Sequence, residues 1–471
     1  MIKIFKNYLH NDFSWVPQQN PPHNHPAIAG KLLLPQEIPF SNQQIEQLLQ
    51  QSILTKIESM ESFAWGHRCR RCGNTKTYLF AKMPHASCQK ECLYCRACIQ
   101  MGRVMACEPF LYGSSSVQWP AYESPCSWSG DLTVHQQKAA DELTGLVKTG
   151  HGEKLIWAVC GAGKTEILFP AITAALHKGK RVCLATPRTD VVRELLPRFQ
   201  KSFPDVNIQA LYGDSPEKDG NASFIIATTH QLLRFARAFD VMIIDEVDAF
   251  LFHNDPSLHY ASERAAKPVS AIIYLTATPR KKQKKRVRSK DLPAVFIPKR
   301  FHGHPLPVPK LKLAPTLHRC LKNNQLPPKL LHHISTQQST PRQLLLFLPS
   351  IKRAEEIAAS LKKLNYEVQA VHAEDSQRAE KIAAFRNKEY RVLVTTTILE
   401  RGVTFPSVDV FVIDAGHVVF DEAALVQIAG RAGRSPDDPT GEVVFYHIGK
   451  TDEMLDAISS IQYMNRLGRK L

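Results

Sequence analysis

From about residue 150 onward, short uninterrupted apolar runs alternate with stretches whose apolar residues recur at helical spacing. Apolar runs without polar alternation predict strands buried on both faces. One group covers residues 154–159 (KLIWAV), 181–185, 224–228, 241–244 and 271–275, and a second covers 343–348, 391–395, 408–413 and 442–446. Helical spacing follows over 165–177, with Gly179 as a stop, and again over 423–428. Strand, turn and helix repeated in this order predict an α/β fold of doubly wound parallel sheets in two units. No short-period sequence repeat relates the two.

The chain ahead of that pattern is different. Residues 1–60 are polar and proline-containing (Pro17, Pro21, Pro22, Pro26), predict a short helix over 42–58, and carry no assignable chemistry. A cysteine-rich module follows, then a polar connector over 114–130. The expected division is 1–60, a module at 61–113, a first α/β domain at 114–300 and a second at 301–471, with Pro305, Pro307 and Pro309 near the junction. The basic stretch 280–290 (RKKQKKRVRSK) reads equally as a mobile loop or as a DNA-contacting element.

Composition narrows the class. The 471 residues are 44% hydrophobic and 22% charged, as expected of a globular protein, and no apolar run is long enough to cross a bilayer. The N-terminal stretch has no signal-peptide pattern, so a cytoplasmic location is expected. A net charge of +16 predicts an acidic partner, with nucleic acid as the first choice. Of 11 cysteines, seven lie between Cys69 and Cys107, which in a reducing compartment reads as a metal site.

Three segments carry the chemistry. Ala158-Val-Cys-Gly-Ala-Gly-Lys-Thr165 is a phosphate loop between a strand and a helix: the backbone of Gly161, Ala162 and Gly163 would wrap phosphate, Lys164 reach the terminal phosphates and Thr165 hold Mg²⁺. Ala158 stands where such loops usually begin with glycine. Asp245-Glu246-Val247-Asp248 leaves the apolar run 241–244, at the strand end where α/β sheets place ligands. Asp245 would bind Mg²⁺ and Glu246 would orient or deprotonate the attacking water. In Gln427-Ile-Ala-Gly-Arg-Ala-Gly-Arg434, glycines interleaved with Arg431 and Arg434 suit a tight loop that brings guanidinium groups to a nucleotide, with Arg434 the better arginine finger.

The ordered set of motifs resembles the second helicase superfamily. That resemblance implies two RecA-like domains, ATP and Mg²⁺ as cofactors, and nucleic acid as substrate. It gives Gln136 the role of adenine-sensing glutamine, with Gln137 next to it in a competing register, and adds Gln427 to the ATP site. Thr186-Pro187-Arg188, Thr229 of TTHQ and Thr397 of TTTILERGV match segments that contact the nucleic-acid backbone. Thr276-Ala277-Thr278 matches the segment coupling hydrolysis to domain movement.

A narrower resemblance, to the bacterial late competence family ComFA, rests on CRRCG and YCRACIQMGR together with LIWAVCGAGKTE, VMIIDEVDAF and ALVQIAGRAGR. It implies an ATPase that drives single-stranded DNA through a membrane channel in natural transformation. The expected partners are that channel, other competence proteins and further copies of the chain, with recruitment to the inner face of the membrane. Replication-restart helicases resembling PriA are the second reading, although they carry their cysteines inside the motor. A non-hydrolysing zinc adaptor with a vestigial nucleotide site is the third, and the intact Lys164, Asp245, Glu246 and Arg434 speak against it.

Two Cys-x-x-Cys knuckles can close four thiolates around Zn²⁺. Cys69 and Cys72 form the first. Spacing leaves the second open, because Cys92-x-x-Cys95 competes and Cys88 is near. The family resemblance selects Cys95 and Cys98, for one structural zinc. Arg68, Arg70, Arg71, Arg96 and Arg103 are expected to give the module a positive surface, and Trp65, Tyr78 and Phe80 to pack in its small core rather than stack on bases.

Overall fold

The computed structural model describes residues 13–17, 25–114, 117–216, 219–401, 403 and 405–470. Pro21, Pro22 and Gly402 lie outside the described residues.

Two parallel sheets form the body of the molecule, as the apolar runs predict. The first has seven strands in the order Ile208–Leu211, Phe224–Thr228, Val182–Thr186, Phe239–Ile244, Ala266–Thr276, Gly152–Ala158 and Ala294–Ile297. The second has six, in the order Lys310–Leu313, Val443–His447, Val408–Ile413, Gln343–Phe347, Val392–Thr395 and Val368–Val371. Every residue of Val182–Thr186, Phe224–Thr228 and Gln343–Phe347 is buried, because helices cover both faces of each sheet. The C-terminal helix Asp452–Lys470 crosses back to the first sheet, where Tyr463 stands 5.8 Å from Trp157, ring centre to ring centre.

Several elements differ from expectation. The helix predicted over 42–58 ends at Gln50: Ser52 turns with a φ of 58°, and Leu54–Ile57 becomes a strand paired with Phe110–Gly113. Residues 166–168 form a 3₁₀ turn before the helix Phe169–His177, because Pro170 lacks the amide hydrogen needed within a continuous helix. The basic stretch is a helix rather than a loop, and part of its charge is paired. It forms the helix Lys281–Arg288, in which Arg286 pairs with Glu153, while Lys284 reaches Glu422 at 2.7 Å and Arg280 reaches Asp421 at 2.8 Å across to the second unit.

The cysteine module packs on the first sheet rather than standing apart. Fully buried Arg264, from the helix Pro256–Ala265, donates to the carbonyls of Arg70 and Arg71, and also to Leu233 O at 2.8 Å and Phe235 O at 3.0 Å. Arg71 is buried too, donating to Met101 O at 2.7 Å and pairing with Glu37, which also accepts from Arg234 at 3.1 Å. Arg71 therefore adds nothing to the positive surface expected of it, because its charge is used to dock the module.

Candidate active site and zinc module

A cleft of about 530 Å³ opens between the two sheets, lined on one side by the phosphate loop, Asp245 and Glu246, and on the other by Arg401, Gln427, Arg431 and Arg434. The loop leaves the buried strand end at Ala158, whose position is ordinary strand backbone paired with Ile297. Glycine's freedom is not needed there, so the Ala158 departure is structurally neutral. It is needed at Gly163, where φ is 69° and a Cβ would lie 2.4 Å from Gln136 Nε2.

Gln136 belongs to the helix Val134–Thr149 and is held at both ends. Its Oε1 accepts from Thr133 N at 2.8 Å, closing a capping box, and its Nε2 donates to Ala162 O at 2.9 Å. Gln137 points away, 2.8 Å from Asp141. Gln136 thus touches the phosphate loop itself, with its amide already engaged on both sides.

Lys164 Nζ lies 3.9 Å from Asp245 Oδ1, which also accepts from Glu246 N at 2.8 Å. Burial raises the Asp245 pKa, Lys164 opposes the shift, and Glu246 reinforces it. Glu246 has a φ of 54°, a left-handed conformation uncommon for a residue with a side chain and typical of functional turns. Its Oε2 is buried, accepts no hydrogen bond and faces Arg401 at 3.4 Å. Lys164, Thr165 and Asp245 form a donor set that fits a magnesium nucleotide: a lysine for the phosphates, with a hydroxyl and a carboxylate as hard oxygen ligands.

The opposite wall closes on the loop through contacts that sequence reasoning did not identify. Cys160 donates its thiol to Gln427 Oε1 at 3.0 Å, and buried Arg300 donates to Gly433 O. Arg431 is buried and donates to the carbonyls of Glu400, at 3.1 Å, and Val403. Arg434 Nε donates to Gly430 O at 3.1 Å. Burial lowers the pKa of both arginines.

Asp248 is the hub of the interface. Thr276 and Thr278 each donate a hydroxyl to it at 2.6 Å, and Arg401 adds a buried ion pair from the other unit. Burial pushes the Asp248 carboxyl up, but Arg401 and the two hydroxyls outweigh it and hold the carboxyl well below the usual range. The acidic DEVD segment and the adjacent TAT spelled out the partners in part; the arginine, 153 positions away, left no local signal.

The nucleic-acid contacts foreseen from sequence divide into two groups. Pro187, Arg188 and Thr397 line a second cleft between the sheets. Arg188 is held there by Asp190 at 2.7 Å and by Ile398 O at 3.3 Å. Thr186 and Thr229 are buried, and so present no side chain to a strand. Thr186 closes its strand and Thr229 opens the 3₁₀ turn Thr229–Arg234, and both side chains lie inside the first unit.

In the cysteine module, Sγ atoms of Cys69, Cys72, Cys95 and Cys98 all lie within 4.8 Å of one another and are buried. Cys69 to Cys98 is 3.8 Å and Cys72 to Cys95 is 3.7 Å. Tetrahedral zinc with Zn–S bonds of about 2.3 Å needs sulfurs about 3.8 Å apart. The four thiols therefore fit zinc, and Cys92 lies outside the cluster. Trp65 is 57% exposed and Tyr78 70%, so neither packs in a core; Trp65 stacks instead on Phe63, ring centres 4.8 Å apart.

Residues 19–112 match the profile of the competence protein ComFA N-terminal domain, 129–281 that of the type III restriction enzyme res subunit, and 325–436 that of the helicase conserved C-terminal domain. The competence protein ComFA of Bacillus subtilis is 43% identical over 448 residues, covering 94% of this chain and 96% of that protein. The chain belongs to the ComFA family. ComFA of Streptococcus pneumoniae is 41% identical over 377 residues, covering 79% of this chain and 86% of that one. Among solved structures, S. cerevisiae Dbp5 bound to RNA and ADP BeF3 shares the fold, with TM-score 0.51 at 18% identity, over 71% of this chain and 91% of that one.

As a ComFA member with both helicase domains, the chain is an ATP-hydrolysing enzyme of helicase type with a helicase-like role in competence. Its ATPase chemistry calls for a divalent metal. No helix among the described residues is long and apolar enough to cross a membrane.

Proposed function

We propose that this chain is an ATP-dependent single-stranded DNA translocase that powers uptake of transforming DNA into the cytosol. The observation that carries the reading is the split site: Lys164, Asp245 and Glu246 on one sheet face Arg401, Arg431 and Arg434 from the other across a single cleft. Nucleotide bound between two bodies changes their separation when it is hydrolysed, and a strand held across both would be moved.

In this reading Lys164 and the backbone of residues 161–163 bind phosphates, Thr165 and Asp245 hold Mg²⁺, and Glu246 prepares the water. Arg434 stabilises the charge on the transferring phosphoryl group, while Arg431 shapes its loop. Gln136 reports nucleotide to the phosphate loop through Ala162. Pro187, Arg188 and Thr397 lie along the DNA path, with the zinc module beside it, and the uptake channel and other competence proteins dock at the inner face of the membrane. The working division is 1–60, 61–113, 114–300 and 301–471.

The test is ATP turnover with single-stranded DNA, duplex DNA and RNA compared across salt. Single-stranded DNA should stimulate most, and stimulation should fall steeply with salt as phosphate contacts are screened. Absence of stimulation by single-stranded DNA, together with normal transformation by a Lys164→Ala strain, would refute the reading.

A further inference from the structure

The hairpin that carries Cys95 at its base continues to a tip with chemistry of its own. Strands Phe80–His85 and Lys90–Cys95 pair antiparallel from Phe80↔Cys95 to His85↔Lys90, and Gln89 closes the turn with a φ of 52°. His85 and Cys88 sit at this tip, while Cys107 comes from the loop between Val104–Met105 and Phe110–Gly113. One ligand atom from each of His85, Cys88 and Cys107 lies within 4.8 Å of the other two.

The arrangement is more than three neighbours. His85 Nδ1 faces Cys107 Sγ at 3.2 Å, and its Nε2 faces Glu108 Oε1 at 3.4 Å. A carboxylate on one imidazole nitrogen fixes the tautomer and leaves the other nitrogen's lone pair for a metal, the usual support of a histidine ligand. Cys107 N donates to Cys92 Sγ at 3.3 Å and Ala106 N to Leu93 O at 2.8 Å, so backbone contacts hold the loop against the hairpin. Cys107 is exposed and Cys88 half-buried, so an ion can enter from solvent.

We propose that His85, Cys88 and Cys107 bind a second zinc ion, separate from the four-thiolate site, with solvent in the fourth position. One imidazole nitrogen and two thiolates are the borderline-soft donors zinc takes in three-ligand sites. Binding replaces two thiol protons with the ion and involves no redox change. The ion would staple the hairpin tip to the loop preceding Phe110.

Metal content of the full chain decides the matter. The protein is purified with a phosphine reductant, loaded with Zn²⁺, freed of loose ions by gel filtration and analysed for zinc. Wild type should hold two ions per chain, while Cys107→Ser, Cys88→Ser/Cys107→Ser and His85→Ala should each hold one. Cys107 is exposed, so serine there should leave the fold intact, and the unfolding midpoint should fall only by the stabilisation the lost ion supplied. Titration with Co²⁺ gives a second readout: thiolate-to-cobalt absorption should saturate at two equivalents in wild type and at one in Cys107→Ser. One ion in wild type would overturn the proposal, as would two ions retained in the double-cysteine variant, or loss of both ions in Cys107→Ser and His85→Ala alike.

Discussion

Arg401 reaches across from the second unit to pair with Asp248 of the first, both side chains buried, while its other terminal nitrogen lies 3.4 Å from Glu246. One arginine thus touches both the carboxylate that binds the TAT hydroxyls and the one proposed to prepare water. Position of the second unit and orientation of Glu246 are coupled through a single guanidinium.

Removing that guanidinium leaves Asp248 as an uncompensated buried charge. Arg401→Ala should cost about 3–5 kcal/mol of stability, the usual penalty for breaking a buried pair. Thermal unfolding reads the loss, and ATP turnover should fall with it. A wild-type midpoint in the variant would mean that the pair contributes nothing to closure.

Within the split site, binding and chemistry should separate. Lys164→Ala should abolish nucleotide binding measured with a fluorescent analogue. Glu246→Gln should bind normally and hydrolyse about 10²–10⁴-fold more slowly, the usual loss when a general base is removed. Single-turnover kinetics distinguish the two, and equal defects in binding would contradict the assigned roles.

The raised Asp245 pKa sets a pH dependence. A carboxyl that ionises later in the folded state than in the unfolded one makes the apo protein less stable as pH rises from the unfolded value through the folded one. Asp245→Asn should therefore stabilise the apo protein above that window. For turnover the sign is reversed: metal binding needs the carboxylate, so ATPase should fall on acidification with a midpoint above that of an ordinary aspartate. Extra Mg²⁺ competes with the proton and should move the midpoint down, whereas a profile insensitive to Mg²⁺ would remove Asp245 from the metal site. Asp248, held below the usual range, should stay ionised throughout.

Trp65 and Tyr78 offer aromatic faces to solvent on the cysteine module. If the module lies on the DNA path, replacing either by alanine should weaken single-stranded DNA binding about tenfold, the order expected for one stacked base. The unfolding midpoint should not move, because neither ring is packed in a core. Fluorescence anisotropy with a labelled oligonucleotide measures the effect, and unchanged affinity in the double variant would take the module off the path.

Local chemistry was what the sequence made legible. The strand and phosphate loop from 152 to 165 are contiguous, and the cysteine knuckles carry their own spacing. Contacts between distant segments were hidden: Arg401 with Asp248, Arg300 with Gly433, Cys160 with Gln427. Charge patterning also misled where tertiary partners decide the outcome. The run 280–290 reads as a mobile loop or a DNA-contacting element, yet it is helical, and Glu153, Asp421 and Glu422 pair three of its charges. Thr186 and Thr229 matched surface-contact motifs, yet burial at the end of one strand and in the turn after another takes their side chains out of reach of a nucleic-acid strand.

The docking of the cysteine module has a mechanical consequence. Gly73, just past the first knuckle, approaches Tyr260 so closely that a Cβ there would lie 2.6 Å from the ring. One helical turn later, Arg264 grips the carbonyls of Arg70 and Arg71. A knuckle clamped at both points has no hinge of its own and rides with the first sheet as a fixed outrigger. If the chain translocates as proposed, its stride is set by how far the second sheet travels against that frame, and a bulkier residue at position 73 would shift the module without touching the nucleotide.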